Sequence, residues 1–104
     1  MAVYFVVQGR VEDRAKLAEY REKVGPTLTP DLTVLAIDET PQIIEGEAVI
    51  EGEVVQPRTV ILEFPSEESF RVWYDSDEYQ ALVGLRKEAE SGYALLVEGV
   101  AAGG

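Results

Sequence analysis

Arginine, tyrosine and carboxylate side chains must carry whatever chemistry this chain can do, because its 104 residues include no cysteine and no histidine. That double absence removes the commonest general base, the commonest transition-metal ligand and the thiolate nucleophile. Ser-His-Asp triads, Cys-His pairs, histidine-ligated haem and ordinary zinc sites go with it. What remains is a set suited to holding a small polar or anionic group. Arg58 and Arg86 could clamp a carboxylate or phosphate through forked hydrogen bonds. Tyr20, Tyr74 and Tyr79 could orient it, and Trp73 could supply an apolar wall. Glu63 is the candidate base. It alternates with Leu62 and Phe64 on a predicted strand and shares a sheet face with Ile61, where partial desolvation would suit a proton acceptor. No residue set here calls for a metal or an organic cofactor.

Each candidate also has a structural reading. Large aromatics at helical spacing usually pack, so Trp73 and the tyrosines are also core or interface residues. Arg86 has Glu63 or Asp75 as a carboxylate to pair with. Ser76, followed by Asp77-Glu78, is a helix cap and not a nucleophile, since no activating base accompanies it. Between Asp31 and Glu53 lie seven acidic residues and no lysine or arginine, with Ile44-Glu45-Gly46-Glu47 echoed by Ile50-Glu51-Gly52-Glu53. This segment reads as a solvated acidic hairpin extension. A hard-cation site is the alternative, although the spacing lacks the Asp-x-Asp-x-Asp-Gly pattern of a calcium loop.

Bulk properties bound the partners. The length fits a single domain spanning residues 1–104. A net charge of −11 repels polyphosphate backbones and anionic membrane surfaces, so neither nucleic acid nor membrane is expected as a partner. No apolar run reaches membrane-spanning length, and Met1 to Arg10 lacks the pattern of a signal peptide, which predicts a cytoplasmic protein.

The elements that must position these residues follow from periodicity. Val3 to Val11 reads as a strand, rich in β-branched and aromatic residues. Asp13 caps a helix to about Val24, with Leu17, Tyr20 and Val24 at spacings of three and four, stopped by Gly25-Pro26. Thr33 to Ile37 reads as a bulged or bent edge strand, interrupted at Pro41 and resumed through Gln42 to Glu45. Thr59 to Phe64 is the next strand. Ser66 caps a helix over Glu67 to Tyr74, and Ser76 caps another that runs to about Ser91-Gly92. Tyr93 to Val97 closes the pattern, and Ala101 to Gly104 is expected to fray.

Strand, helix, strand, strand, helix, strand is the split βαβ order of an α+β, ferredoxin-like βαββαβ fold, with a four-stranded antiparallel sheet and its helices on one face. Apolar residues occur on both faces of the predicted strands, and helices cover only one. A second copy packed about a two-fold axis is the expected cover, which makes the protein its own partner in a homodimer.

The stretches Leu62-Glu63-Phe64-Pro65-Ser66 and Trp73-Tyr74-Asp75-Ser76-Asp77-Glu78-Tyr79-Gln80-Ala81-Leu82, with Leu85-Arg86, resemble domain of unknown function family 1330. So do Ala18-Glu19-Tyr20 with Arg21, Pro57-Arg58 and the closing Leu96-Val97-Glu98-Gly99, so the resemblance covers most of the chain. It implies a ferredoxin-like fold of the dimeric α/β-barrel kind and no particular activity. The family's glycine pairs and arginine around the second strand are replaced here by Asp31 to Glu39, so a ligand anchored by that arginine does not carry over. The acidic hairpin is also longer than the family's usual connection.

Two functions fit the residues. One is a small protein that binds or transforms an apolar or anionic metabolite in a cleft between sheet and helices; related dimeric barrels include cofactor-independent oxygenases and isomerases, an analogy of fold alone. The other is a non-catalytic dimerisation or structural module. An empty cavity containing Arg58, Tyr74 and Arg86 would favour the first, and a filled core with paired arginines the second.

Overall fold

The first strand, β1 (Val3–Val11), alternates buried and half-buried residues along its length, as a central strand with two different faces must. In the computed structural model, which describes residues 1–100, it pairs antiparallel with a neighbour on each side. The expected fraying of residues 101–104 falls outside the described residues. Helix α1 (Arg14–Val24) follows, its first turn closed by Asp13 Oδ1, which accepts from the Lys16 amide at 3.0 Å. A 3-10 turn at Gly25–Thr27 leads to β2 (Thr33–Asp38). A two-stranded hairpin comes next, β3 (Ala48–Ile50) with β4 (Glu53–Val55), and then β5 (Arg58–Phe64). Helices α2 (Glu67–Tyr74) and α3 (Asp77–Ala89) start at Ser66 and Ser76, whose hydroxyls accept from the amides of Ser69 and Tyr79. Caps of this kind stabilise a helix by about 1 kcal/mol each. Strand β6 (Glu90–Glu98) ends the described fold.

The main sheet is antiparallel in the order β2-β5-β1-β6, the expected ferredoxin-like arrangement. β2 is an edge strand and is bulged between Val34 and Ala36, as expected. Three boundaries differ from expectation. The segment Gln42 to Glu45 is irregular and joins no sheet among the described residues. Its place as an extension is taken by β3 and β4, whose turn has Glu51 and Gly52 both at positive φ, 51° and 80°. Two consecutive positive φ values match the twist of the flanking strands. The third difference is the α3–β6 junction: the helix stops at Ala89 and the strand begins at Glu90, paired with Val11.

The acidic hairpin is more than a solvated loop. Ile50 is buried, and Arg10 on β1 reaches Glu53 Oε2 at 2.7 Å, Glu51 Oε2 at 3.2 Å and Glu12 Oε1 at 2.7 Å. Those carboxylates spend their charge on a guanidinium. Among the described residues no group of three carboxylates gathers as a cation shell.

The core lies between the sheet and the helices. Val3, Phe5 and Val7 of β1 and Leu62 and Phe64 of β5 meet Leu17 of α1, Phe70 and Trp73 of α2, and Tyr79 and Val83 of α3. Burying each of the larger side chains contributes roughly 1.5–3 kcal/mol. The opposite face of the sheet carries Tyr93, Leu95 and Val97 of β6, each nearly half exposed. No described helix is long and apolar enough to cross a membrane.

Candidate functional site

β2 lies at the sheet edge, and its inward side chains Val34 and Ile37 stay half exposed. Between them, β5 and α1 opens a cavity of about 230 Å³. Its apolar walls include Phe5, Val24, Leu28, Val60, Leu62 and Trp73, and its polar groups are Tyr20, Arg58 and Arg86, with Arg21 beside them. Alternation places Arg58, Val60 and Leu62 of β5 inward together. The four-residue step from Tyr20 to Val24 leaves both on the sheet side of α1.

The apolar wall is fixed from behind. Trp73 is 1% exposed, its Nε1 donates to Thr27 Oγ1 at 3.2 Å, and its ring lies 4.1 Å from that of Tyr79. The Tyr20 and Tyr79 hydroxyls are 2.9 Å apart in a buried hydrogen bond. Burial pushes the Tyr20 phenol well up from its ordinary value, with Tyr79 adding to the effect, so Tyr20 is a neutral hydroxyl and not a phenolate base.

The two arginines converge on a residue that the sequence reading does not single out. Glu90, 6% exposed, places Oε2 at 3.7 Å from Arg58 Nη1 and Oε1 at 3.9 Å from Arg86 Nη1. These are ion-pair separations too long for hydrogen bonds. Among the described residues, both Glu90 oxygens and Arg86 Nε are buried without a hydrogen-bond partner. Burial pushes the Glu90 carboxyl up, against the pull of Arg58 and Arg86. Gly9 makes the room: a Cβ there would lie 3.0 Å from Glu90 Cδ and Oε2. Arg58 also holds Glu39 through Nε at 3.3 Å, and Glu39 is shared with Arg21 at the rim.

Of the expected site residues, Tyr20, Arg58, Trp73 and Arg86 line this cavity. Tyr79 sits behind Tyr20, fully buried. Tyr74 lies outside it, stacked on Phe70 and facing a second, polar depression of about 420 Å³ with Arg86, Lys87, Glu90 and Tyr93. Glu63 does not join them. It is in register with Tyr4 and Thr33 on the outer face, so the sheet stands between it and the cavity. The carboxylate that Arg86 meets is Glu90, not Glu63 or Asp75. Two sequence signals point there: the four-residue spacing of Arg86 and Glu90, and a glycine inside the β-branched first strand.

No curated protein matches this sequence. The fold is similar to that of a protein of unknown function from Rhodopseudomonas palustris, at 17% identity and a TM-score of 0.68 over 92% of this chain and 78% of that one. It is also similar to an antibiotic biosynthesis monooxygenase, at 21% identity and a TM-score of 0.57 over 94% and 98% of the two chains. A dimeric ferredoxin-like protein of unknown function from Thermobifida fusca matches at 15% identity and a TM-score of 0.58 over 93% and 88%. The family model of DUF1330, a domain of unknown function, matches residues 2–100, and the chain belongs to that family.

Proposed function

We propose that this protein is a homodimeric, cytoplasmic, single-domain binding protein for a small, largely apolar molecule with one polar head. The observation that carries the proposal is the cavity itself, with apolar walls and two buried arginines at its polar end. At about 230 Å³ it is smaller than the roughly 300–1,000 Å³ of sites for drug-sized ligands, which points to a small metabolite. A structural salt-bridge cluster would close its hydrogen bonds, and this one leaves Glu90 and Arg86 Nε open. A similar fold named as a monooxygenase gives a precedent for small-molecule chemistry on this scaffold, though the shared feature is the fold alone. The half-exposed Tyr93, Leu95 and Val97 supply the apolar face for a second copy, in keeping with the dimeric relative.

Native mass spectrometry of gently purified protein tests both parts. The expected spectrum is a dimer carrying a discrete additional mass. A clean dimer, together with no response of the Trp73 fluorescence to small apolar acids, amides or alcohols, would favour a structural module instead. A monomer would refute the dimer.

A further inference from the structure

The charges at the polar end of the cavity do not balance. Arg58 and Arg86 line that end, Glu90 lies against them from the side of the second depression, and the three are buried and together carry one net positive charge when Glu90 is ionised. Glu39, half exposed at the rim, lies 3.3 Å from both Arg58 Nε and the more exposed Arg21 Nη1, so the five groups Arg21, Arg58, Arg86, Glu39 and Glu90 together keep one net positive charge. Guanidinium charge that is only partly offset is costly to bury, and among the described residues Arg86 Nε is buried with no acceptor. Both deficits are met by one group: a ligand carboxylate, or another singly charged oxyanion, accepting from the guanidinium fork.

Resting on the binding function above, we propose that the cavity selects small apolar monoanions, and that Glu90 is the specificity-determining residue that limits the ligand head to one negative charge. Glu90 acts from beside the arginines and offsets one of their two charges. The other charged or titratable groups around it are Tyr20 on α1, Tyr74 on α2, Lys87 on α3, Glu39 after β2, Glu51 on the hairpin and Tyr93 on β6. Gly9 keeps the space that lets its carboxylate stay between Arg58 and Arg86.

The test uses three probes with one apolar body, cyclohexanecarboxylate, cyclohexanecarboxamide and the dianion of cis-cyclohexane-1,2-dicarboxylate, titrated into the full chain in mildly alkaline buffer. Trp73, the one tryptophan of the sequence, reports from the cavity wall. The monoanion is expected to bind about tenfold or more tighter than either of the others, equivalent to roughly 1.4 kcal/mol. Glu90→Gln should raise dianion affinity relative to monoanion by about tenfold, and Glu90→Asp should keep the wild-type ranking. Equal binding of all three, or preference for the amide, would overturn the monoanion assignment and leave the binding function standing. An unchanged ranking in a folded Glu90→Gln variant would remove Glu90 as the selector. Binding of none of the probes would count against the binding function as well. If Glu90→Gln does not fold, the wild-type ranking decides both points, since a dianion bound as tightly as the monoanion excludes Glu90 as the selector.

Discussion

The Tyr20–Tyr79 hydrogen bond gives a prediction whose size differs between its two ends. Tyr20→Phe leaves the Tyr79 hydroxyl, which is fully buried, without its partner at 2.9 Å. A buried donor left unsatisfied costs about 1–3 kcal/mol. Tyr79→Phe leaves the Tyr20 hydroxyl instead, on a residue that lines the cavity and is 9% exposed where Tyr79 is 0% exposed. Its loss should stay near the net value of an ordinary hydrogen bond, about 0.5–1.5 kcal/mol. With both hydroxyls removed no orphan remains, and the rings keep their edge contact at 6.4 Å. The double variant should therefore cost less than the sum of the singles, with a coupling of about 1 kcal/mol. Urea unfolding followed by circular dichroism measures all four corners of the cycle. Each kcal/mol corresponds to about 4–8 °C in melting temperature for a domain of this size. Strict additivity, or a Tyr79→Phe loss larger than that of Tyr20→Phe, would refute the reasoning.

Gly9→Ala should destabilise the fold by about 1–3 kcal/mol, because its Cβ would crowd the Glu90 carboxylate at 3.0 Å; an unchanged urea midpoint would contradict this. Glu90 binds its proton more tightly folded than unfolded, so its contribution favours the fold below its unfolded pKa and is lost as pH rises through the raised folded value. Glu90→Gln should flatten that part of the stability–pH curve, measured by melting temperature across the mildly acidic to neutral range. Arg10→Ser should free the hairpin at Glu51 and Glu53 and make its amides exchange faster, with a smaller difference from wild type at high salt. Leu95→Lys, at a half-exposed outer-face position, should yield a folded monomer by analytical ultracentrifugation.

The sheet order and the helices are legible in the sequence because they rest on local signals: period-two strands, the Leu17–Tyr20–Val24 stripe, and the Asp13, Ser66 and Ser76 caps. Four cavity residues, Tyr20, Arg58, Trp73 and Arg86, are legible as chemistry-bearing types. Glu90 is marked only by its four-residue spacing from Arg86 and by the glycine in the first strand, because the rest of its significance is non-local: it depends on Gly9 across the β1–β6 ladder and on Arg58 one strand further. Read as the end of a helix, it looks like another surface acid. Glu63 misleads for the opposite reason, since alternation gives its face correctly but not which face holds the cavity.

The bulged edge strand has a consequence for exchange. β2 supplies the Val34 and Ile37 side of the cavity yet is hydrogen-bonded along one edge only, to β5. Detaching it breaks one ladder and exposes little that is not already half open, so β2 amides should lose protection by local opening well below the free energy of global unfolding, while β1, paired on both sides, should exchange last.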